Sequence, residues 1–554
     1  MSRQKTLAEQ VPDYAERRRR IEAEALPRNI HALIAEAARE AGDTIAWDFF
    51  ESAERATYRE MYAKVIRLAA GLQSIGVDRG SHVAVMLPNI EAFPVTWLAI
   101  GVIGAVMVPV NVGYRPRELV HVLDDSEARF LIVDAARLDI VVPGLDSGEI
   151  KLARDRIVVA RGQPPAGMLA WSDLAASQAQ PTIPDVLPEE LLNIQYTSGT
   201  TGFPKGCMLA QAYWLVSGKV NAFRDGRRYR RILASTPFYY MDPQWLLLMA
   251  FYQRGTLYVA SRQSTSRFIG WLRSYRIEFC LFPYVVYKQP ASADDRVESV
   301  IRGNVYGVPK GIHAALEARF DFCAREAYGM TEVGSAMFMP IECSDMVGSG
   351  SCGKPSPFRE CRIVDEQGAE VPVGDVGELL VRGQGILAGY YNKPDATARA
   401  LREGWFHTGD LFRRDAQGFF HIVGRAKDMI RRSSENIAAN EVEAVLNSVP
   451  GVLESAVIGV PSELRGEEVK AFIVLQDAAA VSQRMLAELI ATCTAQLAGF
   501  KVPRYFSFPP ALPKTPSLKI AKQVLKAHAL EAREPTFDRV AQRWLDTASA
   551  QEPA

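Results

Sequence analysis

The sequence lacks an excess of charge of either sign, a cysteine framework and an uninterrupted hydrophobic run. Its 554 residues contain 64 Lys and Arg against 64 Asp and Glu, so no overall field favours nucleic acid or an anionic membrane. Seven cysteines without CxxC spacing predict reduced thiols rather than disulfides or a zinc site. These absences leave small-molecule chemistry as the favoured class of function.

Long apolar stretches are also few. The longest, FPVTWLAIGVIGAVMVPVNVGY from Phe93, is interrupted by Thr96, two glycines and Pro109. It predicts a buried helix followed by a buried strand, with membrane attachment as the lesser alternative. The segment MSRQKTLAEQ has no signal-peptide core, so we expect a cytoplasmic location.

The length exceeds what one hydrophobic core usually supports, which predicts more than one domain. Helical spacing from Ala56 followed by the strand-like HVAVMLP recurs in later segments and predicts an α/β fold of helix-covered β-sheets. We expect a large N-terminal domain over residues 1–425, with a β-barrel-like subdomain at 353–425 where glycines separate short apolar runs. A small C-terminal α+β domain over 426–535 and a polar tail over 536–554 are expected to follow.

The stretch YTSGTTGFPKG, residues 196–206, combines hydroxyls, glycines and one lysine directly after an apolar strand. Free backbone NH groups beside hydroxyls and an ammonium indicate a phosphate cradle. A Walker A loop is excluded because Pro204 and Gly206 flank Lys205. GSGSCG, residues 348–353, fits GxGxxG but neither follows a clear strand nor opens a clear helix, so a dinucleotide fold is not expected.

This loop resembles the phosphate-binding signature of the AMP-forming adenylating enzymes, the family of acyl-CoA synthetases, peptide-synthetase adenylation domains and beetle luciferases. Further signatures of that family follow in the expected order over almost the whole chain: YGMTEVG, GELLVRGQGILAGYY, WFHTGDL, GRAKD and LPKTPSLKIAK. The resemblance implies an ATP-dependent carboxylic acid:CoA ligase that forms an acyl-adenylate and then a thioester. It implies ATP, Mg²⁺ and CoA as cofactor and co-substrates, and a C-terminal domain that rotates about a hinge near Lys427.

The resemblance also assigns residues. Tyr328 is expected to stack on adenine, Thr331 to contact phosphate, Asp410 and Arg425 to bind ribose, and Glu332 to hold Mg²⁺. Lys519, Thr200 and Glu332 are expected to be the catalytic groups. The full set implied for nucleotide binding is Thr197, Ser198, Gly199, Thr200, Thr201, Gly202, Lys205, Tyr328, Gly329, Thr331, Asp410, Arg425 and Lys519.

Three positions depart from the family pattern. Leu518 replaces the glycine before the catalytic lysine, and Ser434 replaces a glycine on the expected CoA path. Gln211 occupies the position of a histidine that usually follows the phosphate loop. These changes predict an altered half-reaction or a different thiol acceptor.

The acyl pocket is expected to contain Tyr239, Tyr240, Asp242 and Trp245 from TPFYYMDPQW, together with Gly307 from YGVPKG. With MIRRSSENIAANEVE, this pattern resembles the crotonobetaine/carnitine-CoA ligase branch. An aspartate among aromatic rings would suit a quaternary ammonium. The alternative is a pocket wall in which Asp242 caps a turn, for a neutral small or medium acid.

Other functions remain open at this point. They are luciferase-like oxygenation, loading of a carrier protein, and an AMP-binding regulator that has lost turnover through Leu518 and Ser434. No nucleic-acid partner is expected, and a homodimer is left open.

Overall fold

The computed structural model describes residues 11–197, 204–425, 428–432, 435–462, 465–477, 481–515, 519–529 and 534–545. Helices cover sheets throughout this part of the chain, as the α/β pattern predicts. The α-helices are α1 Tyr14–Ala23, α2 Ile30–Ala41, α3 Tyr58–Ser74, α4 Ala92–Val102, α5 Pro116–Asp125, α6 Leu138–Asp146, α7 Trp171–Ala175, α8 Gln211–Phe223, α9 Met241–Gln253, α10 Phe268–Ser274, α11 Lys310–Phe320, α12 Pro394–Ala400, α13 Ala439–Asn447, α14 Gln483–Gln496 and α15 Lys522–Ala527. Short 3₁₀ helices span Ala135–Arg137, Arg154–Arg156, Tyr284–Val286 and Ser344–Met346.

The strands fall into three sheets, two in the large domain (residues 11–425) and one in the small domain (residues 428–545). The large-domain strands are β1 Ile45–Phe49, β2 Glu54–Thr57, β3 His82–Met86, β4 Val106–Pro109, β5 Phe130–Asp134, β6 Ile157–Ala160, β7 Leu169–Ala170, β8 Leu191–Thr197, β9 Lys205–Ala210, β10 Arg231–Ala234, β11 Thr256–Val259, β12 Phe279–Leu281, β13 Arg302–Val305, β14 Cys323–Met330, β15 Gly334–Phe338, β16 Ser351–Pro355, β17 Glu360–Val364, β18 Gly377–Arg382, β19 Gly389–Tyr390, β20 Leu401–Arg402, β21 Trp405–Arg414 and β22 Phe420–Arg425. The small-domain strands are β23 Met429–Arg432, β24 Glu435–Ala438, β25 Val452–Ser462, β26 Gly466–Leu475, β27 Tyr505–Ser507, β28 Thr536–Asp538 and β29 Arg543–Leu545.

The larger sheet changes direction at β14. Its order is β17-β18-β21-β22-β16-β15-β14-β13-β12-β10-β11-β1-β2, with β20 paired to β21. Strand β14 runs parallel to β13 and antiparallel to β15. The segment predicted to be barrel-like at 353–425 contributes most of the antiparallel strands of this sheet, whereas its β19 pairs with β9 in the second sheet. Since ligands bind outside the carboxyl ends of strands where a sheet changes its pattern, the loops after β13 and β14 mark a candidate site.

The second sheet has the order β19-β9-β8-β4-β3-β5-β6-β7, and it is parallel from β8 to β7. Buried parallel strands read as continuous apolar runs, as HVAVM in β3 shows. Strand β9 returns antiparallel to β8. The phosphate-loop sequence therefore connects two adjacent, hydrogen-bonded strands.

Local sequence explains the confirmed helices. Helix α3 begins with a capping box, in which Thr57 Oγ1 accepts from Glu60 N and the Glu60 carboxylate accepts from Thr57 N. Its buried face repeats at helical spacing at Met61, Val65 and Leu68. Such a face is stable only against a core, and α3 packs on α4.

The apolar run from Phe93 forms helix α4 and strand β4, as predicted. Every residue of both elements is buried. Among the described helices, none combines the length and apolar character that crossing a bilayer requires.

The end of the chain differs from the expected polar tail at 536–554. Strands β28 and β29 extend the small-domain sheet, whose order is β24-β23-β26-β27-β28-β29 with β25 beside β26. The Phe537 and Trp544 rings meet at 5.5 Å, and Phe537 packs in the small-domain core. Two aromatic residues in three-residue strands give no periodic signal, which is why sequence reasoning missed them.

Candidate functional site

The phosphate-loop sequence connects the ends of β8 and β9. Thr197 is the last residue of β8 and pairs across the ladder with Lys205, the first residue of β9. Gly206 permits this close hairpin, because a Cβ there would lie 2.6 Å from the Ile194 side chain. Ser198, Gly199, Thr200, Thr201 and Gly202 lie outside the described residues. The structure thus places both ends of the loop.

Lys205 contacts the Tyr390 ring, and Tyr390 in turn is hydrogen-bonded to the buried carboxylate of Glu332. Lys205 Nζ lies 4.3 Å from the centre of the Tyr390 ring, and the Tyr390 hydroxyl donates to Glu332 Oε1 at 3.0 Å. Burial raises the pKa of Glu332, while the Tyr390 hydrogen bond and the charges of Lys205 and Arg425 partly offset that rise. The sequence alone assigns Tyr390 no role, because its position directly after Gly389 in GILAGYY is its one local signal.

The donor set around Glu332 fits a hard cation. A carboxylate oxygen is the ligand that Mg²⁺ prefers, and protein sites usually supply one or two carboxylates while phosphates and water complete the shell. Groups of three or more His, Cys, Asp or Glu side chains in a metal-binding arrangement do not occur in the part of the chain that the structure describes. The described residues therefore do not supply a complete set of metal ligands, and Glu332 suits an ion that is already bound to phosphate.

Tyr328, Asp410 and Arg425 meet on adjacent strands. The Tyr328 hydroxyl donates to Asp410 Oδ2 at 2.6 Å, and Arg425 Nε lies 3.0 Å from Asp410 Oδ1 across the β21–β22 ladder. Despite this ion pair, Asp410 Oδ1 receives no hydrogen bond among the described residues. A carboxylate that is 3% exposed thus keeps one oxygen able to accept from a ligand.

We call these side chains the polar cluster: Lys205, Tyr328, Glu332, Tyr390, Asp410 and Arg425. The Arg425 charge acts on both Glu332 and Tyr328. It therefore links the Glu332–Tyr390 pair of the polar cluster to the Tyr328–Asp410 pair. Gly329 lies beside it at the start of the β14–β15 turn, where a Cβ would meet Gly334 O at 2.4 Å. Thr331 lies half-buried in the same turn.

The predicted acyl-pocket residues lie where α9 begins. The Tyr239 and Tyr240 rings meet edge to face at 4.7 Å, and Trp245 Nε1 donates to Asp242 Oδ1 at 3.2 Å. Burial raises the pKa of Asp242, and the Trp245 hydrogen bond and the Lys519 charge partly offset the rise. Tyr306, to which sequence reasoning gave no role, is half exposed, and the Asp242 charge acts on it.

Lys519 belongs to the small domain and acts across the domain boundary. Its backbone is held by Thr515, which donates from N to Lys519 O at 2.7 Å and accepts from Lys519 N at 3.2 Å. Its charge acts on Asp242 of the large domain. Leu518, Ser434 and Lys427 lie outside the described residues.

Two further features lie elsewhere. Gln211, at the usual histidine position, is fully buried, and its Oε1 accepts from Ile30 N at 3.0 Å, so it connects α8 to α2. A cavity of about 760 Å³ near Phe223 and Tyr252 contains none of the predicted site residues. Its arginines already have partners, as in the Arg254–Glu40 and Arg17–Glu342 pairs.

Comparison with known proteins identifies the family of this chain. A family model described as AMP-binding enzyme matches residues 34–391, and one described as AMP-binding enzyme C-terminal domain matches residues 441–519. The first match includes Lys205, Tyr328 and Glu332. The second ends at Lys519.

Curated relatives match over most of their length. A feruloyl-CoA synthase from Amycolatopsis sp. is 34% identical over 475 residues, which are 84% of this chain and 92% of that protein. A sulfoacetate–CoA ligase from Cupriavidus necator is 33% identical, covering 86% and 94%. A crotonobetaine/carnitine–CoA ligase from Citrobacter koseri is 30% identical, covering 86% and 95%. The comparisons therefore do not single out the carnitine branch.

Solved structures share the fold. An anthranilate CoA ligase in complex with anthranoyl-AMP has a TM-score of 0.82 and 24% identity, over 94% of this chain and 99% of that chain. ATP-bound MatB from Rhodopseudomonas palustris has a TM-score of 0.78 and 27% identity, over 90% and 98%.

Proposed function

This chain belongs to the family of AMP-binding enzymes, and we propose that it activates a small or medium carboxylic acid with ATP and transfers the acyl group to CoA. Its relatives are named CoA ligases, and it is an acid–thiol ligase of the same family. The observation that carries the proposal is the polar cluster: a lysine, a buried carboxylate with an accepting oxygen and a tyrosine converge beside the phosphate-loop sequence.

In the first step a substrate carboxylate oxygen attacks the α-phosphorus of ATP. The bond between the α-phosphorus and its bridging oxygen breaks, and pyrophosphate leaves. No protein nucleophile is needed, so this chain contributes positioning and charge. Lys519 neutralises charge between the carboxylate and the α-phosphate, while Lys205 and the hydroxyl of Thr200 hold the other phosphates.

The polar cluster orients the nucleotide. Asp410 accepts from the ribose hydroxyls through its free oxygen, Arg425 supports the same sugar, and the Tyr328 ring stacks on adenine with its hydroxyl fixed by Asp410. Glu332 would hold Mg²⁺, which when bound supplies positive charge to the phosphates.

In the second step the CoA thiol sulfur attacks the acyl carbonyl carbon. The bond from that carbon to the AMP oxygen breaks, and the thiol proton passes to solvent. Rotation of the small domain about Lys427 would take Lys519 away and open the path for CoA.

For the acid itself, we propose one with a cationic or hydrogen-bond-donating group. Asp242 is a half-buried carboxylate beside aromatic rings, and a cation near it would stabilise the charge that desolvation disfavours. A carnitine-like acid fits this chemistry. The ring-lined wall of Tyr239, Tyr240 and Trp245 favours an aromatic acid as the second candidate.

The test is CoA-dependent release of AMP from ATP over a panel of acids. The panel contains carnitine, crotonobetaine, ferulate, anthranilate and unbranched neutral acids. We expect AMP release only when both an acid and CoA are present. The rate should be highest with a cationic acid (carnitine or crotonobetaine) or with an aromatic acid (ferulate or anthranilate). AMP release that needs no CoA would indicate a different acceptor, and absence of acid-dependent release would overturn the proposal.

A further inference from the structure

A buried carboxylate outside the polar cluster holds the turn that follows β13. Glu326 in β14 is 7% exposed. Its Oε2 accepts from Gly307 N at 3.0 Å and its Oε1 from Val308 N at 2.9 Å. Both oxygens are thus used on two successive backbone groups of one turn.

This turn lies at the switch point of the larger sheet. Glu326 pairs in register with Val305, the last residue of β13, so the turn leaves β13 directly beside it. Gly307 adopts a φ of +65°, which permits the sharp departure toward α11. Tyr328 follows two residues later on the same strand, so both side chains lie on one face of β14.

Among the described residues, no cation forms an ion pair with the Glu326 carboxylate, and the titratable group that faces it is Cys352 of β16. Burial raises the pKa of Glu326 to about 7, while the hydrogen bonds from Val308 and Gly307 lower it in part. A buried carboxylate that is held by backbone NH groups without a neutralising cation is more typical of a functional position than of a core.

We propose that Glu326 is a positioning residue for the nucleotide: its carboxylate fixes the Gly307–Val308 turn against β14, in the shape that receives the adenylate beside Tyr328. This inference depends on the proposed function. When Glu326 is protonated, one oxygen becomes a hydroxyl and is a weaker acceptor for a backbone NH than a carboxylate oxygen. One of the two hydrogen bonds that hold the turn is then weakened, and nucleotide affinity falls.

Glu326→Gln imitates the protonated state at every pH. Calorimetry measures the Kd for AMP of wild type and variant at pH 6 and pH 8. The quantity compared is the ratio of the variant's Kd to the wild-type Kd at each pH, in which titration of the phosphate cancels. We expect the variant to bind roughly tenfold more weakly at pH 8, the effect of losing a hydrogen bond to a charged acceptor. The ratio should approach one at pH 6, because the wild type is then largely protonated.

Thermal unfolding without nucleotide separates positioning from a general defect. Because the folded pKa of Glu326 exceeds its unfolded value, the stability provided by the neutral carboxyl is lost as pH rises through about 7. Between pH 6 and pH 8 the Tm of the wild type should therefore fall relative to the Tm of Glu326→Gln. The variant is expected to bind more weakly while unfolding no more easily at pH 8.

The control is Glu317→Gln. Glu317 is a comparably buried carboxyl whose pKa burial also raises, but it accepts from Ala324 N and Arg325 Nη1, away from the turn. It should leave the ratio of AMP affinities independent of pH. A Glu326→Gln ratio equal at both pH values, or wild-type affinity at pH 8, overturns the inference alone. Failure of the wild type to bind AMP at either pH overturns both the inference and the proposed function.

Discussion

Single carboxylates in different surroundings carry most of the chemistry proposed for this protein. Asp410 keeps an oxygen for a ligand, Glu332 is hydrogen-bonded by Tyr390, and Asp242 accepts from the Trp245 indole. Asp410 and Glu332 are buried and Asp242 is half-buried, so a charge on each is costly without a partner. Each is therefore expected to matter more for ligands than for folding.

Replacing Asp410 should affect ATP selectively. Asp410→Asn keeps the shape but removes an acceptor and a charge, so we expect the KM for ATP to rise roughly tenfold or more. The KM for the acid should change little, as measured by pyrophosphate exchange. Asp415→Asn is the control, because Asp415 lies on the same hairpin and, within the described part of the chain, its carboxylate is hydrogen-bonded by its own turn and His421. Equal effects of both substitutions would contradict a role in ribose binding.

Replacing Asp242 should change the ranking of acids. Asp242→Asn retains an acceptor for Trp245 Nε1 but removes the charge, so cationic acids should lose roughly tenfold or more in kcat/KM relative to neutral acids. The comparison uses the acid panel under identical conditions. An unchanged ranking with a uniform loss of rate would instead assign Asp242 to positioning Lys519, whose charge acts on it.

Among the secondary-structure elements, the hairpin of β14 and β15 contributes most to the site. It presents Tyr328 from one strand and Glu332 from its turn, at the point where the sheet changes direction. Its backbone is too closely packed at Gly329 to accept a side chain.

Gly329→Ala is expected to disrupt this hairpin. The new Cβ would meet backbone atoms of Gly334, so we expect a loss of about 1–3 kcal/mol in stability and of most adenylation activity. Gly311→Ala is the matched control: its Cβ would meet nothing within 4 Å, and it lies in α11. That change should stabilise the protein by up to about 1 kcal/mol. Equal stability of the two variants in urea titrations would contradict this account.

How far sequence predicts these elements depends on the length of the pattern. Helix α3 and the α4–β4 pair follow from long periodic or apolar stretches. Strands β28 and β29 do not, because three residues carry no period. Tyr390 and Glu326 were missed because their roles come from partners 58 and 18–19 residues away in sequence. Only folding reveals such contacts.

At the scale of the whole molecule, the Lys519 charge of the small domain acts on Asp242 of the large domain. Lys288 of the large domain donates across the boundary to the carbonyls of Val452, at 3.3 Å, and Leu453. The proposed two-step reaction needs this contact in the first step and its release in the second.

Lys288→Ala should therefore affect the two half-reactions differently. We expect pyrophosphate exchange to slow by roughly tenfold, because a hydrogen bond from a charged donor no longer favours this arrangement. Thioester formation from CoA and preformed acyl-adenylate should not slow. Lys501→Ala, which removes a pair with Glu441 inside the small domain, is the control. Parallel loss of both half-reactions would contradict a role at the boundary.

The most direct test of the account is acid-dependent exchange of pyrophosphate into ATP by Lys519→Ala. The control is Lys514→Ala, since Lys514 lies five residues away and pairs with Glu454. We predict that Lys519→Ala loses roughly 100-fold or more in exchange but still forms thioester from preformed acyl-adenylate, while Lys514→Ala exchanges normally. Wild-type exchange by Lys519→Ala would contradict the proposed chemistry.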